Sequence, residues 1–355
     1  MNQAEQNDTP RRGDFGWQAM ASAFEPTLDD MMSDRSYFGM PPEALYLWGS
    51  FRDETGEIYS PMRRIPAGLP TDSPDTRRRL FLLTTEGHDD GMHLHEAGRG
   101  SARNDGFTKT LENDRVHWRS DPAAEGNAFH VTWGPKECSW VEEGLMDVRG
   151  TLIEPGMHWY LPGRDAGMYY VANIFLMEGT ILGKQVRGLI GFDPIYMYEG
   201  GEVYKTKDAL VQEELELVWY TWATVYKDGS IDAGHFLLGN DHFGFAILAD
   251  KDGNVRFTND VTGKVDFGED GYWQEHISYS AFGEEWEFVA EPRGRMVGLG
   301  KLPNPQVEGR WRRVGDTREP DVWFAWGEAA PGHGNRPVNR LAGAGERLSF
   351  NVEQF

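Results

Sequence analysis

The residues best suited to chemistry gather around one acid. Asp193 precedes Pro194 in the run Gly188-Leu-Ile-Gly-Phe-Asp-Pro-Ile-Tyr196, beside Phe192, Tyr196 and Tyr198. A carboxyl group in apolar surroundings is poorly solvated as an anion, so its pKa rises and it can serve as a general acid near neutral pH. Tyr170, Tyr196 and His242 are the groups able to complete proton transfer at the other end of a substrate. Asp193, Tyr170, Tyr196 and His242 are therefore the expected catalytic set, with His235 and Asp241 one hairpin on. Trp219, Tyr220, Trp222 and Phe192 would wall in a flat or polyene-like ligand, and aromatic faces stabilise a developing cation. Arg187 would bind a phenolate or carboxylate from inside a barrel. The plainer reading is that Asp193 opens a turn, the aromatics fill a core and Arg187 lies in a solvated hairpin.

A second constellation is His88-Asp-Asp-Gly-Met-His93-Leu-His95-Glu96. His-x-His on a strand sets two imidazoles on one face, an arrangement that suits a metal. The acid needed to complete the set is misplaced, since Glu96 neighbours His95 and points to the other face. The expectation is a polar loop, with no metal and no organic cofactor; a metal-dependent β-barrel enzyme using His93 and His95 is the distant alternative. No Gly-x-Gly-x-x-Gly loop opens a helix after a strand, and P-loop and Gly-x-Ser-x-Gly motifs are absent. The single cysteine, Cys138, has no nucleophile motif around it and excludes an intrachain disulfide.

The elements that must position these groups are strands. Tyr169 to Tyr198 reads as one long β-hairpin turning near Leu182-Gly183-Lys184, with apolar residues on both faces. Gly188 and Gly191 inside its return strand mark a bend, a bulge or the close approach of another group. Asp193-Pro194 should end that strand, because proline cannot extend a central ladder. Further hairpins are expected at Ala44 to Ile65, at Phe107 to Trp118 around Glu112-Asn113-Asp114, and at Leu215 to Leu238 around Lys227-Asp228-Gly229. A last strand is expected at Arg347 to Val352. Phe15 to Met32, with Trp17, Met20, Phe24, Leu28 and Met31, has the spacing of a short helix or two. Strands alternating with full helices are missing, which argues against a parallel α/β fold.

The chain of 355 residues is rich in aromatic residues (13%) and glycine (43), as a turn-rich all-β protein requires. Its net charge of -22 argues against nucleic acid and anionic membrane surfaces as partners. No run approaches the roughly 18 apolar residues of a membrane helix. The first residues lack the apolar core of a signal peptide, so a cytoplasmic location is expected.

The Gly-flanked strand ending in Asp193, then Trp222-Ala-Thr-Val-Tyr-Lys-Asp-Gly229, resembles the two-domain lipocalin-like family of carotenoid 1,2-hydratases (hydroxyneurosporene synthases). That family carries an Asp-His-x-Trp-Gly segment. Here the Asp and a downstream aromatic are kept, while Pro194 stands for the His and Tyr196 for the Trp. The resemblance covers residues 150 to 260. It implies two lipocalin-like antiparallel β-barrels or half-barrels with an apolar ligand cavity. Relatives hydrate, eliminate, cyclise or isomerise hydrophobic natural products, commonly without a cofactor. With the His replaced, hydratase activity itself is not carried over.

The expected organisation is a tail and short helix over 1–35, a first β domain over 36–198 and a second over 199–355. The expected function is a cofactor-independent lyase or isomerase, eliminating water or formaldehyde from a hydrophobic aromatic or isoprenoid small molecule by acid/base chemistry. A hydrophobic-ligand carrier without turnover is the alternative from another class. A lectin-like sandwich is disfavoured by the evenly apolar strands. Long edge strands in such folds often pair, which admits a homodimer.

Overall fold

The computed structural model describes residues 18–67, 78–153, 155–162, 166–203, 205–208, 210, 216–239, 243–250, 252–300 and 304–330. Apolar residues at alternate positions, separated by turn residues, produce antiparallel strands almost throughout. The first sheet comprises β1 (Met20–Phe24), β2 (Pro42–Asp53), β3 (Ile58–Pro66), β4 (Phe81–Thr84), β5 (His93–Leu94), β6 (Phe107–Glu112) and β7 (Arg115–Ser120). It continues through β8 (Phe129–Trp133), β9 (Glu137–Glu142), β10 (Met146–Leu152), β11 (Gly156–Leu161), β12 (Met168–Ile181) and β13 (Lys184–Met197). The second sheet comprises β14 (Glu216–Tyr226), β15 (Ile231–Gly239), β16 (Gly244–Asp250), β17 (Val255–Thr258) and β18 (Val261–Phe267). It ends with β19 (Gln274–Ala281), β20 (Glu284–Arg295), β21 (Gln306–Arg313) and β22 (Pro320–Ala329).

Both sheets follow one plan. Each is an up-and-down meander whose first long strand pairs with its last, β2 with β13 and β14 with β22. Each is open after its fourth strand in that cycle, between β5 and β6 and between β17 and β18. The first is a half-barrel; the second is nearly closed. The fold is therefore all-β, with two barrel-like sheets.

The long hairpin forms as expected. Its turn, Leu182-Gly183, has both residues at positive φ (51° and 76°), the backbone hand that matches strand twist. Pro194 does not end the strand. β13 runs on to Met197, and its ladder with β2 passes through Asp193↔Tyr46 and Pro194↔Leu45. On the β12 side the ladder opens between Tyr170↔Ile195 and Asn173↔Phe192. A proline withholds its N–H from one neighbour only, so the strand keeps one partner and loosens from the other.

The segment before β2 also departs from the helical expectation. Met20–Phe24 is a strand on the outer edge of β11, which β12 pairs only from its other side. The helix α1 (Leu28–Met32) is a short piece begun by a capping box between Thr27 and Asp30. Residues 15–17, and the strand expected at Arg347 to Val352, lie outside the described residues.

Each sheet wraps a core of its own. Leu47, Phe51, Trp118, Trp133, Phe175 and Phe192 fill the first. Tyr220, Trp222, Phe236, Tyr279, Trp286 and Trp311 fill the second. A third apolar layer lies between the sheets, built from the opposite faces of the same strands: Trp48, Trp159, Tyr170, Leu237, Phe245 and Phe324. Because side chains alternate along a strand, sequence parity decides which layer a residue enters.

Candidate active site between the two sheets

On β13, Leu189, Ile195 and Met197 face the layer between the sheets, whereas Ile190 and Phe192 face the first core. Asp193 has the parity of the former set. Its side chain is buried, and Oδ2 accepts two hydrogen bonds, from Trp48 Nε1–H at 2.5 Å and from the Tyr170 hydroxyl at 2.5 Å. Oδ1 is buried with no hydrogen-bond partner among the described residues. Burial pushes the pKa of Asp193 up to about 7, against the opposing pull of the Tyr170 and Trp48 hydrogen bonds.

Trp48 stands directly across from Gly191 in the β2–β13 ladder. A Cβ on Gly191 would come within 2.7 Å of the Trp48 ring. The indole can lie across β13 toward Asp193 because that position carries no side chain. Phe324 and Trp326 of β22 pack on the same indole, with ring centroids 5.0 and 5.2 Å away. The second sheet thus holds the donor that the first sheet supplies.

From Tyr170 the polar contacts cross into the second sheet. Its hydroxyl lies 3.3 Å from Thr221 Oγ1 on β14, and Thr221 Oγ1 lies 2.7 Å from His235 Nδ1 on β15. One arrangement gives every proton in this chain a partner: His235 Nδ1–H donates to Thr221, Thr221 O–H to Tyr170 and Tyr170 O–H to Asp193. His235 Nε2 then presents a lone pair, and this atom is buried without a partner among the described residues. Burial lowers the His235 pKa to about 3, so the ring is neutral at physiological pH. Burial, followed by the adjacent Asp193 charge, pushes the Tyr170 phenol well above its ordinary value.

Aromatic rings enclose this polar line. Trp159 stacks on Tyr170 with centroids 5.3 Å apart and planes 21° from parallel. Trp219 meets both Tyr170 and His235 edge-on, at 5.1 and 5.0 Å. Phe245 lies 6.0 Å from the His235 ring. A carboxyl group that titrates near neutrality, with one free oxygen and aromatic faces around it, can donate and recover a proton next to a carbon-centred cation.

Three solved proteins are similar to this chain over most of their lengths. A Nitrosomonas europaea protein provisionally assigned as an AttH is 14% identical over 87% of this chain and 97% of its own, with a TM-score of 0.46. CghA, solved with Sch210972, is 12% identical over 88% and 98%, with a TM-score of 0.41. Kievitone hydratase from Nectria haematococca is 8% identical over 86% and 94%, with a TM-score of 0.40. No family model and no curated protein matches the sequence.

Of the residues singled out from sequence, the structure brings Asp193, Tyr170, Trp219 and His235 together. Tyr196 lies on the other face of β13, packed with Tyr169, Val171 and Met40. Phe192 points into the first core against Trp133, with centroids 4.5 Å apart. Tyr220 and Trp222 point into the second core, where Tyr220 accepts from Gln274 and Trp222 packs on Trp286. Arg187 is half-exposed and pairs with Asp321 at 3.1 Å. His242 and Asp241 lie outside the described residues.

Strand parity explains these placements. Trp219 and Tyr220, like Phe192 and Asp193, are neighbours in one strand and cannot share a face. Trp48, Trp159 and Thr221 were not anticipated. Gly191 is the signal that could have found Trp48, since a glycine in a strand marks the close approach of a neighbour.

His95 does not pair with His93. Its Nδ1 accepts the Ala97 N–H at 3.2 Å and so caps the turn Glu96–Gly100. Among the described residues no helix is long and apolar enough to cross a membrane.

Proposed function

We propose that the protein is a lyase of the hydratase, dehydratase or isomerase kind, acting on a hydrophobic, oxygen-bearing aromatic or isoprenoid small molecule in the layer between the sheets. The observation that carries this reading is Asp193: buried, raised to about 7, clamped at Oδ2 by two donors and free at Oδ1. Near neutral pH such a group populates both protonation states, as a general acid/base must.

For elimination, the proton on Asp193 Oδ1 passes to the leaving hydroxyl oxygen, the C–O bond breaks and water departs. The cation left on carbon faces Trp159 and Trp219. The Asp193 carboxylate, still held by Trp48 and Tyr170, then takes the proton from the neighbouring carbon. The double bond forms and the acid is restored. Hydration is the same sequence reversed. His235, with its pKa near 3, is too weak a base for the carbon proton. Its Nε2 instead accepts a hydrogen bond from a substrate hydroxyl and fixes the ligand's orientation. No organic cofactor enters this scheme.

The test is native mass spectrometry of the purified protein, extraction of the bound compound, and turnover of the oxygenated series it defines by wild type and Asp193→Asn. Loss of turnover by about 10²–10⁴-fold with ligand binding retained is the expected result. Full turnover by Asp193→Asn would overturn the assignment. The depth of the site also favours a second reading, a carrier that holds its ligand unchanged; recovery of ligand with no conversion in any of the series supports that reading.

A further inference from the structure

A cluster of metal-ligating side-chain types lies on the turn between β4 and β5. His88 and His93 stack with ring centroids 3.9 Å apart and planes 22° from parallel. His93 Nε2 lies 2.8 Å from Asp90 Oδ1. One donor atom from each of His88, Asp90 and His93 falls within 4.8 Å of the others. Two imidazoles and one carboxylate are the ligand set that divalent ions of the zinc class prefer. Donors around one such ion stand roughly 3–4 Å apart at bond lengths of about 2.1 Å, so small side-chain rotations would close the set.

The backbone beneath these side chains is held from several sides. His88 N–H donates to Thr85 O at 2.9 Å, and His93 is paired with Thr84 of β4. Met92 exchanges hydrogen bonds with the other half of the protein: its N–H donates to Arg295 O at 2.7 Å, and its carbonyl accepts from Gly298 N–H at 2.9 Å. Gly91, at φ 149°, lies so close to the Arg295 carbonyl that any side chain there would collide with it. Arg293 reaches across to Glu57 at 3.0 Å and Thr85 O at 3.4 Å. The turn is ordered before any ligand arrives, so binding would not have to meet the entropy of ordering it.

We propose that His88, Asp90 and His93 form a binding site for one divalent transition-metal ion of the zinc class, placed on the turn by which the first sheet docks against the second. With three protein donors on a solvent-facing turn, the remaining coordination positions are open to water. Because the ion would tie together residues on both sides of Gly91 and Met92, occupancy would brace the contact between the two sheets. The site is separate from Asp193 and takes no part in the proton transfers above.

The experiment is calorimetric titration of the chelator-treated full chain with zinc chloride, repeated on His88→Ala, His93→Ala and His130→Ala. His130 forms a second close imidazole pair among the described residues, with His117 at 3.0 Å, and serves as the control. Saturable binding of one ion per chain is expected, weakened at least about tenfold in His88→Ala and in His93→Ala and unchanged in His130→Ala. A rise in Tm with zinc should vanish in the same two variants. Near-ultraviolet circular dichroism confirms that each variant is folded. Absence of saturable binding to wild type, or binding that survives His88→Ala/His93→Ala, would overturn the proposal.

Discussion

Trp48 reaches Asp193 across Gly191: its indole N–H donates to Asp193 Oδ2 at 2.5 Å from the strand alongside. One residue without a side chain thus sets the environment of the acid two positions on. The hydrogen bond favours the charged carboxylate and partly offsets the effect of burial. Trp48→Phe keeps the packing against Phe324 and removes the donor. The Asp193 pKa should rise further above about 7, seen as a shift of the corresponding limb of the pH–rate profile to higher pH. An unmoved limb would show that the indole N–H does not act on the acid.

Gly191→Ala should act on the same contact sterically. The new methyl would meet the Trp48 ring at 2.7 Å, with the β2–β13 ladder on the other side. Overpacking of this kind lowers stability by about 1–3 kcal/mol. Chemical denaturation would measure the loss, and tryptophan fluorescence would report the displaced indole. Gly183→Ala at the exposed hairpin turn should destabilise through its positive φ of 76° without moving the Asp193 limb.

Stability against pH carries two opposed contributions from this site. Asp193 has its folded pKa raised to about 7 from 3.8. Its contribution is therefore full below about pH 4 and is lost as pH rises toward 7. His235 has its folded pKa lowered to about 3 from 6.5. In the folded state it resists protonation, so its contribution is present above about pH 6.5 and is lost as pH falls toward 3. The two slopes oppose each other between about pH 4 and 6.5. Asp193→Asn should steepen the rise of stability with pH in that window, and His235→Gln should give a falling trend, each by a few kcal/mol at roughly 1.4 kcal/mol per pKa unit. Denaturant midpoints between pH 4 and 8 would measure both slopes. Parallel curves for wild type and both variants would refute the assignment.

Trp219 and Trp222 test which layer holds the ligand. Trp222→Ala opens a hole in the second core and should cost about 3–5 kcal/mol, as a buried tryptophan loss does. Trp219→Ala removes a ring that stands edge-on to Tyr170 and His235. It should weaken binding of the extracted ligand more than it weakens the fold. The reverse pattern in a binding titration would place the ligand inside the second barrel.

Much of the architecture was legible in the sequence. Alternation and turn residues marked the β12–β13 hairpin, including its Leu182-Gly183 reversal, because strand period and left-handed turn positions are local properties. Asp193-Pro194 was marked as the end of its strand, and that inference was not correct: a proline can sit in a strand whose other edge carries the ladder. What sequence could not determine was which residues meet. Phe192, Tyr196, Tyr220 and Trp222 are apolar neighbours of the site residues in sequence and lie in other layers in space, because a strand turns successive side chains to opposite faces. Trp48, Thr221 and His235 come from three separate strands on two sheets, and nothing local to any of them signals the others. The sequence by itself determined that an acid would follow a glycine-bearing strand among aromatic residues. Only the packing of one sheet on the other decided that this acid would be desolvated, held by Trp48 and Tyr170, and linked through Thr221 to a histidine. Desolvation and hydrogen bonding depend on what surrounds a group in three dimensions, and here each sheet supplies half of those surroundings.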